Sequence, residues 1–464
     1  MSIVLTDIPI IYKDLYKNRL GNYLYFYNPL STKGVIVMSK EIAFIFNLID
    51  GNRSINDIFK IVIKEDLTIK SNEFLNIFNN LYNSELIFLK NKKSTVRSPR
   101  DRSNLSDGKL LRVWFHITNQ CNLRCIYCFV HKTTEKMNFQ LALKTMARII
   151  NEAKEYGYRE IVCNIAGGEP LLQFNEVLKI VKFGRKEARI RKISIKFGII
   201  TNGTLITQKI ANTLKKENMF VAVSIDGLEK YQDLQRPFIN GMGSFRFVER
   251  GINYLRKAKV GFNGIAVITA KNIEHLPELT KYSMNNNIPF VYYFYKDNPN
   301  SKENVEANYS QIIKYFKLAL KEIYNNPPKY TLLHGLLDMV RLDHPHIYPC
   351  RAGRNYLVVR HDGKIASCPV SIDRTIGSVE DKLPLTDSIR KGSFLEPKTR
   401  SIEDIKACKD CFWRFACCGG CPLTTFQYKN SYNVNSPLCK VFKTLIPELL
   451  RIEAKRLITY DKSN

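Results

Sequence analysis

The chain has 464 residues, and 45% of them are hydrophobic, which is enough for two or three domains with cores of their own. Neither disulfides nor metals are needed merely to fold it, so its 12 cysteines require a functional explanation. The net charge of +28 is spread through every segment without interleaved aromatic residues, which favours a solvated basic face over a nucleic-acid groove and leaves an acidic peptide as a compatible partner.

The N-terminal residues (MSIVLTDIPIIYKDLY) lack the charged and then apolar pattern of a secretory leader. The chain also has no continuous apolar run of about 18 residues, the minimum for a membrane span. We therefore expect a cytoplasmic protein with reduced cysteines and no membrane partner.

Residues 1–92 are predicted to form a small separate domain. Two β-rich runs at 23–27 and 34–38, separated by Asn-Pro-Leu-Ser, predict a hairpin. Helical apolar spacing follows at 41–49, 54–59 and 72–87. A strand pair with three helices is a winged-helix pattern, and on pattern alone a DNA-binding module or a structural cap stays open.

Residues 93–110 are polar, basic and rich in serine, as in a linker, and residues 111–296 then alternate strand and helix patterns. Strands are predicted near 111–118, 159–165, 192–200, 219–225, 261–268 and 289–295, and helices near 138–155, 174–189, 207–217, 244–257 and 275–286. Six parallel strands are too few to close an eight-stranded barrel. The predicted fold is therefore α/β, an open (β/α)6 partial barrel with its chemistry at the C-terminal strand ends.

Three cysteines follow the first predicted strand of this barrel: Cys121, Cys125 and Cys128. A short loop with this spacing can place three thiolates on three irons of an iron–sulfur cube and leave the fourth iron open for a substrate. Cys125 and Cys128 alone would also fit a zinc knuckle or a redox dithiol. Cys163, inside the second strand, is predicted to be a small core residue.

A second motif, Gly167-Gly168-Glu169-Pro170, follows the second strand. Residues without a Cβ let the backbone approach a ligand, and Glu169 could accept a hydrogen bond from an ammonium group. Such a sequence by itself is also a common turn from strand to helix. Thr201-Asn202-Gly203 follows the third strand, and Ser224 ends the fourth.

The C-terminal part has the densest cysteine pattern. Residues 297–349 are predicted to be a polar, helical connector, in which His344 and His346 are expected to be ordinary surface residues. Seven cysteines follow in residues 350–445: Cys350, Cys368, Cys408, Cys411, Cys417, Cys421 and Cys439. Zinc-ribbon knuckles would use Cys408 and Cys411 but would not explain the others. The tail, residues 446–464, includes a helix with Lys and Arg and shows no chemistry of its own.

The loop with Cys121, Cys125 and Cys128 resembles that of the radical S-adenosylmethionine (SAM) superfamily, in which an aromatic residue, here Tyr127, precedes the third cysteine. The resemblance implies that the open iron holds the amino and carboxylate groups of SAM, and that the reduced cluster splits SAM to methionine and a 5'-deoxyadenosyl radical. It also implies which residues contact SAM. Ser224 would contact the nucleoside, and Arg236 would contact the methionyl carboxylate. The methionyl amine would be bound by the turn Gly167, Gly168, Glu169 and Pro170.

The seven later cysteines resemble the pattern of the SPASM domain, which holds two further [4Fe–4S] clusters. By position, the nearer auxiliary cluster would be bound by Cys350, Cys368 and Cys421, and the farther one by Cys408, Cys411, Cys417 and Cys439. The chain would then hold three [4Fe–4S] clusters. The fourth ligand of the nearer cluster is not determined by the pattern: it could be a substrate thiolate, a non-cysteine group or Cys418. Cys418 is disfavoured because it adjoins Cys417.

Residues 1–92 resemble the PqqD-like recognition element of enzymes that mature ribosomally made peptides. The resemblance implies that this domain binds the leader of a precursor peptide by strand pairing, and that a reductase such as flavodoxin or ferredoxin supplies electrons. The implied reaction is a thioether cross-link, with a carbon–carbon cross-link as the alternative. Pro369 stands where sulfatase-maturing relatives carry an aspartate, so formylglycine formation is disfavoured. No side chain is singled out as a general acid or base.

An alternative function of a different class is a transcriptional regulator. Such a protein would sense an iron–sulfur cluster and bind DNA through the winged-helix domain and the positive charge. That hypothesis gives no role to the Gly-Gly-Glu-Pro turn or to the partial barrel.

Overall fold

The computed structural model describes residues 3–65, 69–92, 109–389 and 400–460. Most of the predicted linker at 93–110 lies outside these ranges. Among the described residues, no helix is both long and apolar enough to cross a membrane.

The N-terminal region contains two small antiparallel sheets. Its strands are β1 (Pro9–Ile11), β2 (Tyr16–Leu20), β3 (Tyr23–Tyr27), β4 (Val35–Met38) and β5 (Ile87–Leu89). β2, β3 and β4 pair in that order, and β1 pairs with β5. The predicted hairpin is confirmed as β3 and β4. β2 was not predicted, because its residues, YKNRL, are exposed at all three central positions and lack an apolar alternation.

Three helices follow β4, as predicted: α1 (Lys40–Asn47), α2 (Ile55–Lys64) and α3 (Ser71–Asn83). Ser54 and Asp57 form a capping box at the start of α2, which satisfies backbone N–H groups that would otherwise lack partners. The helices pack on one face of the β3–β4 pair through Phe26 and Met38. Tyr25 and Tyr27 point to the opposite face and join the main core of the molecule. Both faces of this small sheet are therefore covered.

The centre of the molecule is a parallel sheet surrounded by helices. Its strands are β6 (Leu110–His116), β7 (Glu160–Ala166), β8 (Ser194–Thr201), β9 (Phe220–Ser224), β10 (Phe262–Ile268) and β11 (Phe290–Phe294). The helices between them are α4 (Phe139–Glu155), α5 (Phe174–Ile190), α6 (Gln208–Lys216), α7 (Glu229–Gln235), α8 (Phe245–Lys257) and α9 (Leu276–Asn285). Each strand pairs in parallel with the next. All six predicted strands and five predicted helices are confirmed, and α7 is an addition.

Side chains along these strands alternate between two faces. On β6, Val113 and Phe115 are buried in the core shared with the helices, whereas Arg112 and Trp114 line a cavity on the other face. A strand places neighbouring side chains on opposite faces of its sheet. The face that turns away from the helices is therefore the interior of the partial barrel.

The sheet does not end at β6. The next strands are β12 (Tyr356–Val359), β13 (Lys364–Ala366) and β14 (Thr375–Ser378). β12 pairs in parallel with β6, and β13 and β14 follow in antiparallel pairing, which gives nine strands in the order β11-β10-β9-β8-β7-β6-β12-β13-β14. The region with the later cysteines therefore begins as a continuation of the barrel sheet.

The remaining helices complete the packing. They are α10 (Tyr309–Asn325), α11 (Arg414–Cys417), α12 (Pro422–Lys429) and α13 (Cys439–Tyr460), and 3-10 turns lie at Pro170–Gln173, Ile273–His275, Ile402–Asp404 and Lys406–Cys408. α13 begins at the last cysteine and runs without a break across the predicted boundary between 445 and 446. Its buried residues include Leu445 and Leu449, and it packs against α10 and β4.

Candidate active site

The interior of the partial barrel is a cavity of about 730 Å³. This volume is within the range of roughly 300–1,000 Å³ that is typical of small-molecule sites. The cavity is lined by cysteines from two distant parts of the chain: Cys121, Cys125, Cys128, Cys350, Cys368 and Cys421. The structure therefore brings the cysteine loop that follows β6 and three of the later cysteines to one chamber.

The loop thiols are half-buried, and each lies near a nitrogen donor. Cys121 Sγ accepts from the backbone N–H of Leu123 at 3.5 Å and lies 3.8 Å from the side-chain amide of Asn202. Cys125 Sγ lies 3.8 Å from Arg236 Nη1, and the thiols of the loop, Cys128 foremost, outweigh burial and raise the pKa of Lys132. Burial raises the pKa of Cys125 to about 12, so its thiol is neutral unless a metal displaces the proton.

These donors fit a [4Fe–4S] cluster, because hydrogen bonds and positive charge around thiolate ligands stabilise their negative charge. Among the described residues, no three His, Cys, Asp or Glu side chains lie close enough together to hold a single metal ion. The ligands of a cluster lie farther apart than those of one ion, since each binds a different iron.

A buried hydrogen-bond network around Asp226 supports the cysteine loop. Asp226, which follows β9, accepts hydrogen bonds from the Tyr127 hydroxyl and from Arg236 Nε, and the Arg236 distance is 2.7 Å. Its other oxygen accepts from the backbone N–H of Val267 at 2.9 Å. Burial opposes the charged form of Arg236, but Asp226 outweighs this effect and raises the pKa of the guanidinium. Tyr127 and Arg236 both line the cavity, as their predicted SAM contacts require.

The Gly-Gly-Glu-Pro turn packs directly behind the cysteine loop. A Cβ on Gly167 would collide with the Thr118 carbonyl, and one on Gly168 would collide with the Gln120 carbonyl. Gly167 also has φ +155°, which disfavours other residues. Both glycines line the cavity. The absence of their Cβ atoms allows the turn to contact the loop, which is a different reason from the ligand approach that the sequence suggested.

Glu169 is fully buried in this turn. Its carboxylate accepts hydrogen bonds from Leu171 N at 3.0 Å, Thr201 Oγ1 at 2.7 Å and Asn202 N at 2.7 Å. Neither Glu169 nor Pro170 is among the residues that line the cavity. In this structure Glu169 joins the turns after β7 and β8, and a direct contact between Glu169 and an ammonium group stays a prediction. Ser224 does line the cavity, at the end of β9.

The later cysteines form two sets. Cys350, Cys368 and Cys421 line the cavity. The charges of Cys408, Cys411 and Cys439 act on the Cys417 thiol, whose pKa is raised to about 12, chiefly by burial. The arrangement is compatible with the two ligand groups that the SPASM resemblance implies, and the assignment of ligands to two clusters stays a prediction. Cys163 is buried in the core, as predicted.

Cys418 belongs to neither set. Its backbone has φ +45°, and its buried thiol donates a hydrogen bond to the carbonyl oxygen of His346 at 2.8 Å. His346 itself was predicted to lie at the surface, and this prediction is wrong. Its side chain is only 6% exposed, because the segment pairs with the loop around α11 through His346 N and the Phe415 carbonyl at 3.1 Å. His344 is exposed, as expected.

Three residues at the cavity were not singled out by the sequence. Lys132 lies in a polar stretch that shows no periodic pattern, yet it contacts the cysteine loop. Lys296 follows β11, and its ammonium group lies 2.7 Å from the Asp338 carboxylate inside the cavity wall. Tyr293 stands inside an apolar run that resembles a uniform core strand. Only the alternation along β11, once its two faces are known, would identify Tyr293 as facing the cavity.

Comparison with known proteins identifies the barrel. Residues 115–282 match the family model described as Radical SAM superfamily. This segment is similar to the radical SAM superfamily. The match spans β6 to α9, and so includes the cysteine loop, the Gly-Gly-Glu-Pro turn and Arg236.

The similarity to known proteins extends beyond residues 115–282. The chain is 28% identical over 330 residues to a cysteine-type anaerobic sulfatase-maturating enzyme of Clostridium perfringens, covering 65% of this chain and 85% of the relative. It is 21% identical over 456 residues to the radical SAM cyclopropyl synthase TigE of Paramaledivibacter caminithermalis, covering 92% of each. The solved structure of native anSMEcpe with bound AdoMet and Cp18Cys peptide aligns with a TM-score of 0.61 at 23% identity, covering 74% of this chain and 98% of that one. The chain therefore shares the fold of that structure, and the match of residues 115–282 to the radical SAM superfamily implies a [4Fe–4S] cluster and SAM.

Proposed function

We propose that this radical SAM enzyme modifies a ribosomally made precursor peptide and that it forms a thioether cross-link from a cysteine of that peptide. One observation carries the proposal. A single cavity is lined both by the thiols of the cysteine loop and by Cys350, Cys368 and Cys421. A peptide residue in this chamber would lie between the site of radical formation and a second group of thiols suited to a cluster.

Cys121, Cys125 and Cys128 would hold a [4Fe–4S] cluster, which with SAM would supply a 5'-deoxyadenosyl radical able to remove one hydrogen atom from carbon. The cross-link joins that carbon to the cysteine sulfur and breaks one C–H and one S–H bond. One hydrogen leaves with 5'-deoxyadenosine, and the other leaves as a proton. Cys350, Cys368 and Cys421 would hold an auxiliary cluster, which would supply an acceptor for the surplus electron.

The protein's own part in this reaction is placement and exclusion of water. Arg236, neutralised by Asp226, presents its guanidinium to the cavity beside Cys125, where it suits the carboxylate of SAM. The cavity walls also include the apolar side chains of Trp114, Ile200 and Val267. Such walls keep a carbon radical from solvent.

The N-terminal domain is proposed to bind the leader of the precursor peptide. Its three-stranded sheet has β2 at one edge and β4 at the other, and an edge strand can accept an extended peptide as a further strand. The exposed Lys17 and Arg19 on β2 would favour an acidic leader. A reductase such as flavodoxin or ferredoxin is proposed as the electron donor.

A carbon–carbon cross-link is the second candidate. It is favoured by the similarity, over 92% of both chains, to a protein named as a cyclopropyl synthase, since a cyclopropane ring is closed by carbon–carbon bonds. The sulfatase-maturating relatives suggest formylglycine formation instead, but Pro369 occupies the position after Cys368 where an aspartate is expected for that reaction. We therefore rank it below both cross-links.

The test is anaerobic reconstitution of the enzyme with iron, sulfide, SAM, a reductant and a precursor peptide encoded beside its gene. A mass lower by two hydrogens, together with one cysteine that no longer reacts with iodoacetamide, supports the thioether. The same mass loss with every cysteine still reactive supports the carbon–carbon bond. An enzyme that cleaves SAM but leaves the peptide mass unchanged would contradict both, and the Cys125→Ala variant is the control for background modification.

A further inference from the structure

A short turn at residues 237–242 pairs with the cysteine loop through the backbone. Arg124 N donates to the Pro237 carbonyl at 2.8 Å, and Ile239 N donates to the Asn122 carbonyl at 3.2 Å. The two bonded loop residues are each adjacent to a cysteine of the loop. The turn is therefore separated from two of the three loop thiols by one hydrogen bond and a few covalent bonds.

This turn lies on the outer side of the loop. Cys121 and Cys125 line the cavity, whereas the three residues between them, 122–124, do not. Within the part of the chain that the structure describes, no residue of the turn lines the cavity either. SAM and the peptide would occupy the cavity. The outer side of the loop, where the turn lies, is then the side that is open to an electron donor.

The tip of the turn is apolar and exposed. Ile239 is 60% exposed and Met242 is 50% exposed. Phe238 N donates to the Met242 carbonyl at 2.8 Å, and Gly241 N donates to the Phe238 carbonyl at 3.0 Å. Gly241 has φ +81°, which glycine adopts without strain. The backbone thus fixes the tip and holds two large apolar side chains towards solvent.

Basic side chains of α8 flank the turn. The Phe238 ring contacts the Phe247 ring of α8 edge to face, with 5.1 Å between the centroids. The Arg250 guanidinium lies 5.1 Å from the centroid of the same Phe247 ring. Arg246 precedes Phe247 and is 86% exposed. Side chains four residues apart share one face of a helix, so Arg246 and Arg250 form a cationic rim beside the apolar tip.

The carboxylates near this rim do not cancel its charge. α8 carries four basic side chains and one acidic one, and the basic ones are Arg246, Arg250, Arg256 and Lys257. The acidic one, Glu249, accepts from the Tyr282 hydroxyl at 3.3 Å, and Asp233 accepts a backbone N–H at the start of α8 at 2.7 Å. Glu229 pairs with Arg246 at 3.5 Å, but both side chains are exposed and such pairs contribute little. The surface stays positive, like the whole chain with its net charge of +28, and suits an acidic protein.

We propose that the turn at residues 237–242, with Arg246 and Arg250, is the docking surface for the protein that reduces the enzyme, a small acidic one-electron carrier. The inference rests on the proposed function, which requires a reductase but does not place it on the molecule. Electron-transfer complexes use small interfaces, and an apolar centre with a charged rim is the usual anatomy of an interface. The step moves one electron and no atoms: a flavin hydroquinone anion becomes the neutral semiquinone, and the cluster proposed at the loop thiols accepts the electron.

The experiment separates docking of the carrier from the chemistry. Enzyme loaded with its clusters and SAM is titrated by calorimetry with oxidised flavodoxin and, separately, with oxidised plant-type ferredoxin. Binding of one of these carriers is expected to weaken about tenfold between about 50 mM and about 300 mM salt, because exposed charges are screened. Formation of 5'-deoxyadenosine is then followed with that carrier in its reduced form and, in parallel, with dithionite, a small reductant that needs no docking surface.

Variants assign the contact to the turn. Ile239→Glu and Arg250→Glu should each weaken carrier binding about tenfold, because each puts a negative charge against an acidic partner. Carrier-driven cleavage should slow by about the same factor below saturation, and dithionite-driven cleavage should not change. Ile190→Glu and Arg189→Glu are the matched controls, since both residues are exposed at the end of α5, which leads into the opposite end of the strands, and Ile190 is also 60% exposed. Iron content and melting temperature report folding, and Met242→Glu is the second variant if Ile239→Glu loses its iron.

Carrier binding that is equal in the turn variants and the controls overturns the proposal, as does no measurable binding of either carrier up to roughly 1 mM. Equal slowing of carrier-driven and dithionite-driven cleavage, in variants that keep their iron, overturns it too, because the turn would then serve the loop and not the carrier. An enzyme that binds its carrier through the turn and cleaves SAM, but never modifies its precursor, would contradict the proposed function and leave the docking surface in place.

Discussion

The Arg236 guanidinium and the Asp226 carboxylate form a buried ion pair, with 2.7 Å between Nε and Oδ2 and side-chain exposures of 9% and 0%. The pair lies beneath the cysteine loop, and Asp226 also accepts the hydrogen bond of the Tyr127 hydroxyl. One carboxylate thus supports both an aromatic residue of the loop and a cation that faces Cys125. The shape of the loop depends on a residue more than 90 positions later in the chain.

Asp226→Asn should destabilise the protein by about 3–5 kcal/mol, because it leaves the Arg236 charge buried without its partner. We expect a lower melting temperature and a loss of iron from the cysteine loop, measured by thermal unfolding and iron analysis. Glu229→Gln is the control, since it breaks an exposed ion pair with Arg246 and should change neither quantity. An Asp226→Asn protein with the unaltered melting temperature would show that the pair does not support the loop.

Cys125→Ala should abolish the cleavage of SAM to 5'-deoxyadenosine while the iron bound by the later cysteines is kept. The expected loss is about four irons per chain, the content of one cube. Cys163→Ala is the matched control, because Cys163 is a core residue that is 1% exposed, and it should retain iron and cleavage. The measurements are chromatography of 5'-deoxyadenosine and iron and sulfide analysis. Unchanged cleavage by Cys125→Ala would refute the assignment of the loop.

The six parallel strands of the partial barrel were predictable because each is a short apolar run bounded by turns. The pairing of β12 with β6 was not, since it joins Tyr356 to Arg112 across more than 240 positions, and no local pattern encodes a partner that distant. β2 was missed for a related reason. It pairs with β3 along its whole length, while its three central side chains are exposed.

In the candidate site, too, the sequence alone identifies only the residues that belong to a local motif. The cysteines and the Gly-Gly-Glu-Pro turn carry their chemistry in short spacings, so the sequence alone could single them out. Tyr293 and Lys296 carry none, and their place in the cavity wall follows from which face of β11 and of the segment after it meets the cavity. His346 was misjudged because its loop is covered by the Phe415 segment, a contact that depends on the tertiary fold.

Trp413→Ala should loosen the N-terminal domain. Trp413 lies between Cys411 and Cys417, and its ring centroid is 5.5 Å from that of Tyr16 and 6.2 Å from that of Tyr27. The loss of these two ring contacts should lower stability by about 2 kcal/mol. Limited proteolysis should then cut within residues 3–92 faster than in the unaltered protein. Phe44→Ala, at a side chain that is 37% exposed on α1, is the control. Equal proteolysis of the Trp413 and Phe44 variants would mean that the rings do not dock the domain.

His346→Phe should make the protein less sensitive to acid. Burial, aided by the charge of Arg341, lowers the pKa of His346 from 6.5 to about 3. As pH falls below 6.5 the unfolded chain takes up a proton that the folded imidazole does not accept until about pH 3. This residue therefore contributes its full stability above pH 6.5 and progressively less as pH falls towards 3. Between pH 7 and pH 5 the loss due to His346 should be about 2 kcal/mol.

The measurement is the midpoint of urea unfolding at the two pH values. The midpoint of the unaltered protein should fall more than that of His346→Phe, while His116, whose pKa burial lowers to about 4, adds the same acid sensitivity to both. His344→Phe is the matched control, because that neighbouring side chain is 41% exposed and should leave the full pH dependence. If His346→Phe and His344→Phe lose stability equally on acidification, the buried imidazole is not the group that titrates.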